Sequence, residues 1–234
     1  MKIFGYWNDK LLPDFIKNSM EQTLKNNPDL EYDVFDNEQA RSFLSEHFEP
    51  KVIKAFDKLI PWSFKSDLLR FALLYIYGGV WLDLKLILNP MDKEFFLRDY
   101  NFAVAMKKVK WLDCPKAETS FLYFREPKNE RLLMAIEKIV ENCETNSYGP
   151  NPLMVTGPGL LGFCLKDLSP TMKFYAEWKL QKKYTREEKI RYFKYTDLKT
   201  KTVYIDNCLV DYYANENRKH QNYCNMWKRK KIYN

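Results

Sequence analysis

Between Lys65 and Pro90 the chain reads KSDLLRFALLYIYGGVWLDLKLILNP, an apolar run interrupted by Asp67, Arg70, Asp83 and Lys85. No other stretch so narrows what the chain can fold into. Leu68, Leu69, Ala72, Leu73 and Ile76 recur at helical spacing and predict a helix capped by Ser66 and running to about Tyr77. Asp67 and Arg70 are then side-chain neighbours at i and i+3, on a different face from that stripe. Gly78 suits the left-handed position that ends a helix. Beyond it the period changes to two. Val80, Leu82, Leu84, Leu86 and Leu88 point one way, and Trp81, Asp83, Lys85 and Ile87 the other, so a strand to Leu88 places Asp83 and Lys85 on one face. A charge without a partner in so apolar a segment is strongly disfavoured, so something must compensate Asp83 and Lys85.

The flanking sequence places this helix and strand in an α/β architecture. KIFGYW (2–7) and LEYDVFD (30–36) read as strands, each followed by a helical pattern, and Asn37 is a plausible cap for the second helix. Strand, helix, strand, helix predicts a mainly parallel central sheet flanked by helices, whose ligands collect beyond the carboxyl ends of the strands. Trp7, Asp36 and Asn37 stand at those ends. Further on, FAVAMKK (102–108) predicts a strand, RLLMAIEKIVENC (131–143) a helix, TGPGLLGFCL (156–165) a turn opening a helix, and TVYI (202–205) a short strand; 174–201 reads as a surface insertion rich in Lys and Tyr.

With 234 residues, 46% of them hydrophobic and only seven glycines, one domain over 1–234 with a sizeable core is expected. The excess of 38 basic over 31 acidic residues is concentrated in a basic C-terminal tail at about 228–234, where KRKK supplies four positives. Such a balance suits an anionic ligand, a nucleic acid or an acidic membrane surface alike. Five scattered cysteines without metal-like spacing fit free thiols in a reducing compartment. No apolar run approaches the ~20 residues of a membrane span. A cytoplasmic protein is expected, at most peripheral to a membrane.

SDLLRFALLYIYGGVWLDLKLILNP resembles the core motif of the family 32 glycosyltransferases with a DXD sugar-binding motif, and of the similar capsular polysaccharide synthesis proteins. Weaker similarity extends to IFGYW, NPDLEYDVFD, VTGPGLL and the terminal HQNYCNMW, leaving about 166–200 uncovered. The resemblance implies a GT-A (Rossmann-like) fold and a retaining hexosyltransferase of polysaccharide biosynthesis. Its donor would be a nucleotide sugar, most simply UDP-linked, and its acceptor a glycan or a lipid-linked sugar. It further implies that Asp67 and Arg70 hold the donor sugar's hydroxyls and that Trp7, with Tyr6 beside it and Asn37 nearby, faces the nucleotide. Trp227 would close over the donor, with Asn225 at the small polar position before it.

Asp83 takes the place of the first Asp of DXD. Lys85 stands where the second, usually the principal metal ligand, should be. Two outcomes stay open. Either Mn²⁺ or Mg²⁺ is held by Asp83, the donor diphosphate and Asn225 or His220, or the Lys85 ammonium neutralises the diphosphate directly. A retained metal, modulated by Lys85, is the expectation. The competing classes are a basic, aromatic-rich module for single-stranded nucleic acid, which the position of the motif disfavours, and a degenerate sugar-binding protein.

Overall fold

The computed structural model describes residues 1–91, 102–107, 116–167, 172–180, 191–197, 201–208 and 222–234. In chain order the elements are β1 (Lys2–Tyr6), α1 (Asp14–Asn26), β2 (Glu31–Phe35), α2 (Asn37–His47), α3 (Pro50–Lys58), α4 (Trp62–Tyr77), β3 (Gly79–Leu82), β4 (Phe102–Lys107), β5 (Lys116–Phe124), α5 (Glu130–Glu144), α6 (Pro158–Cys164), β6 (Met172–Leu180), β7 (Arg191–Asp197), β8 (Val203–Cys208) and α7 (Tyr223–Lys228).

The strands form one sheet in the order β2-β1-β3-β5-β4-β6-β7-β8. The expected α/β sheet with flanking helices is present, but among the described residues it is mixed rather than mainly parallel. Its parallel pairs are β1 with β2, β1 with β3, and β4 with β6. The other four pairings are antiparallel. The reason is topological. Parallel neighbours require crossover helices, and the regular strand–helix alternation ends at β3. Residues 174–180 and 191–197, expected in a surface insertion, belong to β6 and β7 of this sheet; their Lys-rich composition masked a strand pattern.

α2 to α6 pack on one face of the sheet, in a core that includes Phe43, Phe56, Leu69, Trp81, Leu122 and Ile136. The other face carries Ile3, Val80, Leu82, Leu86, Leu88 and Phe121, with Tyr204 and Ile205 of β8. An antiparallel bridge between Leu88 and Ile205 brings the last strand back beneath the middle of the sheet. The sheet therefore curls, as strand twist accumulated over eight strands favours.

α4 is the central helix. It begins five residues before the predicted start, at Trp62, with Pro61 in place of Ser66 as its cap. Pro suits a helix start because it has no N–H to satisfy there. Leu68, Leu69, Phe71, Ala72, Leu73 and Leu74 are all fully buried. At about 1.5–3 kcal/mol for each large apolar side chain, this burial offsets the desolvation of Asp67 and Arg70 in the same helix. The helix ends as expected at Gly78, whose φ of 66° belongs to the left-handed region, as does the 91° of Gly79. A Cβ on Gly78 would also stand 2.9 Å from the Arg125 carbonyl oxygen. Both constraints explain the glycine pair.

The C-terminal basic segment is exposed from Lys228 to Lys231, but the chain then docks. Ile232 is fully buried, Ile60 donates its N–H to the Ile232 carbonyl at 2.9 Å, and Tyr233 bridges Leu59.

Candidate functional site

The carboxyl ends of β1, β2 and β3 lie side by side, because β1 pairs in parallel with both neighbours. β3 stops at Leu82, not at Leu88. The Asp83 N–H still bonds the Ser120 carbonyl across to β5 at 2.8 Å, and the Leu86 N–H then closes a turn onto the Asp83 carbonyl, also at 2.8 Å. Asp83 and Lys85 are paired with each other, Lys85 Nζ standing 2.5 Å from Asp83 Oδ2, around a turn instead of along a strand. Leu84, Leu86 and Leu88 remain buried beyond it.

Arg70 joins the two halves of the motif. Its guanidinium lies 3.3 Å from Asp67 Oδ1 and 3.4 Å from Asp83 Oδ1, and stacks 4.8 Å over the Trp81 ring. It also donates to the Ser66 carbonyl, to Ser66 Oγ and to the Thr119 carbonyl of β5. Ser66, expected as the helix cap, is thus an interior residue that holds this arginine. The side chains of Asp67, Arg70, Asp83 and Lys85 are 9, 6, 19 and 13% exposed. They form one chain of alternating charge just beneath the surface, with Asp83 and Lys85 at its outer end.

The two carboxylates differ. Burial pushes Asp67 from its ordinary 3.8 up to about 6, although Arg70 and the Thr156 hydroxyl pull the other way. Thr156 Oγ1 donates to Asp67 Oδ2 at 2.8 Å. Gly157 lets the loop come that close, since a Cβ there would stand 2.9 Å from the same oxygen. Burial also works to raise Asp83, but the charges of Lys85 and Arg70, with bonds from Lys85 and the Trp81 indole, outweigh it and hold the carboxyl below its ordinary value. Two acids of one motif thus acquire different proton affinities.

At the carboxyl ends of β1 and β2, Tyr6 and Asn37 meet through their side chains. The Tyr6 hydroxyl donates to Asn37 Oδ1 at 3.1 Å, but its ring is committed to the core. Trp7 is half-buried, edge-on to Phe15. Asn37 is the first helical residue; the cap of α2 is Asp36, in a reciprocal capping box with Gln39.

The C-terminal group is arranged differently from expectation. Trp227 packs against the core, its indole N–H bonded to the Tyr148 carbonyl at 2.6 Å, and Asn225 is exposed. His220 lies outside the described residues. On α7, Tyr223 packs 5.5 Å from Phe64 of α4. Burial raises its phenol pKa, with further contributions from Cys224, Asp67 and Glu118. Sequence reasoning gave no site role to Thr156, Trp81 or Tyr223, although alternation put Trp81 on the face of Asp83 and Lys85, and Thr156 and Tyr223 lie in the VTGPGLL and HQNYCNMW segments.

As a metal centre the described set fits poorly. DXD-type regions generally bind a divalent metal. Here, among the described residues, no group of three or more His, Cys, Asp or Glu is placed to hold one. Both Asp83 oxygens already face cationic or N–H groups. Two cavities of about 350 and 440 Å³ lie elsewhere, around Tyr77 at the far end of α4.

Residues 13–94 match the family described as a glycosyltransferase sugar-binding region containing a DXD motif. The chain is 33% identical over 99 residues to an uncharacterized glycosyltransferase of Acanthamoeba polyphaga mimivirus, covering 42% of this chain and 39% of that one. It is 29% identical over 79 residues to inositol phosphoceramide mannosyltransferase 2 of Schizosaccharomyces pombe, covering 33% of this chain and 22% of the relative. The matches thus span well under half the length of either relative. Among solved structures, the PaToxG glycosyltransferase shares the fold, with a TM-score of 0.51 and 16% identity over 70% of this chain and 67% of that one. Among the described residues no helix is long and apolar enough to cross a membrane.

Proposed function

We propose, for a chain whose residues 13–94 carry the sugar-binding region of the DXD glycosyltransferases, that it transfers a hexose from a nucleotide sugar, most simply a UDP-sugar, to a hydroxyl of a glycan or lipid-linked acceptor with retention of configuration. The observation that carries this reading is the joining of Asp67–Arg70 to Asp83–Lys85 at the carboxyl end of β3. The nucleotide lies over β1 and β2 beside Trp7 and Asn37, and the diphosphate reaches Asp83 and Lys85. A carboxylate accepts two sugar hydroxyls while a guanidinium fixes its orientation, and this is the role of Asp67 and Arg70. In the reaction the bond from the anomeric carbon to the diphosphate oxygen breaks and one to the acceptor oxygen forms. The acceptor's proton leaves with the diphosphate. Negative charge grows on the departing group, where a fixed cation stabilises it more in the transition state than before it.

The direct test is calorimetric titration of the whole chain with UDP, GDP, UDP-glucose, UDP-galactose and GDP-mannose, followed by donor hydrolysis with water as acceptor. Micromolar binding of a UDP ligand and slow release of free sugar are expected. Absence of both for every ligand overturns the reading.

A pH dependence follows from Asp67. Hydroxyl binding needs its ionised form, so donor turnover falls as the pH drops through about 6. Stability moves the other way. Between about 4 and 6 the folded chain holds a proton that the unfolded chain has lost, so Asp67's contribution declines as pH rises through that window. Thr156→Val removes a bond to the ionised form and moves the acidic limb of the kcat/KM profile to higher pH. An unshifted limb in that variant counts against Asp67 as its origin.

A further inference from the structure

We propose that the site binds the donor diphosphate without a divalent cation, the Lys85 ammonium occupying the electrostatic place of the metal; this rests on the glycosyltransferase reading above. The first support is a charge balance. A DXD pattern at these positions would combine Asp67, Asp83 and a second aspartate with one guanidinium, a formal charge of two negatives. A divalent ion brings that to zero. With lysine at position 85, two carboxylates and two cations already cancel, so the single change from aspartate to lysine supplies the same two positive charges as the ion.

The second support is the engagement of Asp83. Oδ2 is 2.5 Å from Lys85 Nζ. Oδ1 accepts from the Trp81 indole at 3.0 Å and faces Arg70 at 3.4 Å. Mg²⁺ requires oxygen ligands at about 2.1 Å in a near-octahedral set. An ion that close to Asp83 would stand beside an ammonium and a guanidinium, both mostly buried and weakly screened. Asn225, one of the two further ligands expected, is exposed on α7.

The third is the position of the ammonium. The turn closed by Leu86 and Asp83 carries Lys85 to the carboxyl end of β3, at the outer end of the charged chain. An ammonium there meets a diphosphate as a compact point charge with three donors, and it can turn from Asp83 to phosphate without breaking the backbone turn. Arg70 cannot make that move, because three of its donors are held by Ser66 and Thr119 and its terminal nitrogens also face Asp67 and Asp83.

The test uses UDP as the probe, by calorimetry on the whole chain in EDTA and again in 1 mM-range Mn²⁺. For the natural sequence the two dissociation constants agree within about twofold. Lys85→Asp restores the DXD pattern; in EDTA it binds UDP at least ~10-fold more weakly, and Mn²⁺ recovers the loss. Lys85→Met loses a similar factor that Mn²⁺ does not recover. A second measurement needs no variant: the electron paramagnetic resonance signal of unbound Mn²⁺ stays undiminished when protein is added to Mn²⁺ and UDP, beyond what UDP alone binds. Tenfold tighter UDP binding in Mn²⁺ by the natural sequence, or loss of that signal on adding protein, overturns this inference and leaves the glycosyltransferase reading standing. Failure to bind any nucleotide under either condition removes both.

Discussion

Asp83→Asn lowers donor turnover by at least ~10²-fold, because the Lys85 ammonium loses the carboxylate that holds it where it stabilises the departing diphosphate, while the chain stays folded. Asparagine keeps the shape but has a single acceptor oxygen, so it can accept from the Trp81 indole or from the Lys85 ammonium and not from both. What disappears is the negative charge that holds Arg70 and Lys85 at their present separation from it. Because Asp83 contributes to raising Asp67, the substitution also moves Asp67 back toward 3.8. Residual turnover in the variant therefore shows its acidic limb at lower pH than the parent. Circular dichroism separates this outcome from unfolding. Near-normal turnover in a folded Asp83→Asn protein is incompatible with the proposed site.

Arg70→Met produces the largest loss of stability. Breaking a buried charge network by removing one partner costs about 3–5 kcal/mol, which at ~2–4 °C per kcal/mol for a chain of this size lowers Tm by roughly 6–20 °C. Methionine fills part of the volume and rests on Trp81, but Asp67 loses its counter-charge and the Ser66 and Thr119 carbonyls lose their donor. The deficit depends on pH. Without Arg70 the folded-state affinity of Asp67 for a proton rises further above that of the unfolded chain, so the variant recovers part of its stability at pH 5 and is weakest at pH 8. A thermal melt series across that range measures it. Arg70→Lys falls in between, since an ammonium cannot span Ser66, Thr119 and two carboxylates at once. A Tm change under 2 °C at every pH would show that Arg70 does not organise the cluster.

Local pattern made the N-terminal half of the fold legible. The helical stripe from Leu68 to Ile76, the glycine pair and the apolar alternation at β3 rest on the geometry of a single helix or strand, and β1, α1, β2, α2 and α4 lie close to where periodicity puts them. Misjudgements arose where a local rule met a competing one. Ser66 has the chemistry of a cap, but Pro61 starts the helix earlier and Ser66 serves Arg70 instead. The apolar alternation after Asp83 continues in sequence, yet the turn at 83–86 breaks it, and Leu86 and Leu88 find burial in the second core without belonging to β3. Trp227 matched a family position, but its indole N–H is bonded to the Tyr148 carbonyl, and Tyr223, one helical turn earlier, packs on Phe64 of α4.

Taken alone, the sequence determined that Asp67 neighbours Arg70 and that Asp83 neighbours Lys85, because i,i+3 on a helix and i,i+2 near a strand end are distances set by covalent geometry. Only the tertiary structure decided that these two pairs are one cluster. The contact of Arg70 with Asp83, the Thr156 bond to Asp67 and the support from β5 all cross between elements. They exist because α4 packs over β3 and β5 and because Gly157 is small enough to let the Thr156 loop close on Asp67. The proton affinities follow from the same packing: burial raises Asp67, and two fixed cations keep Asp83 charged.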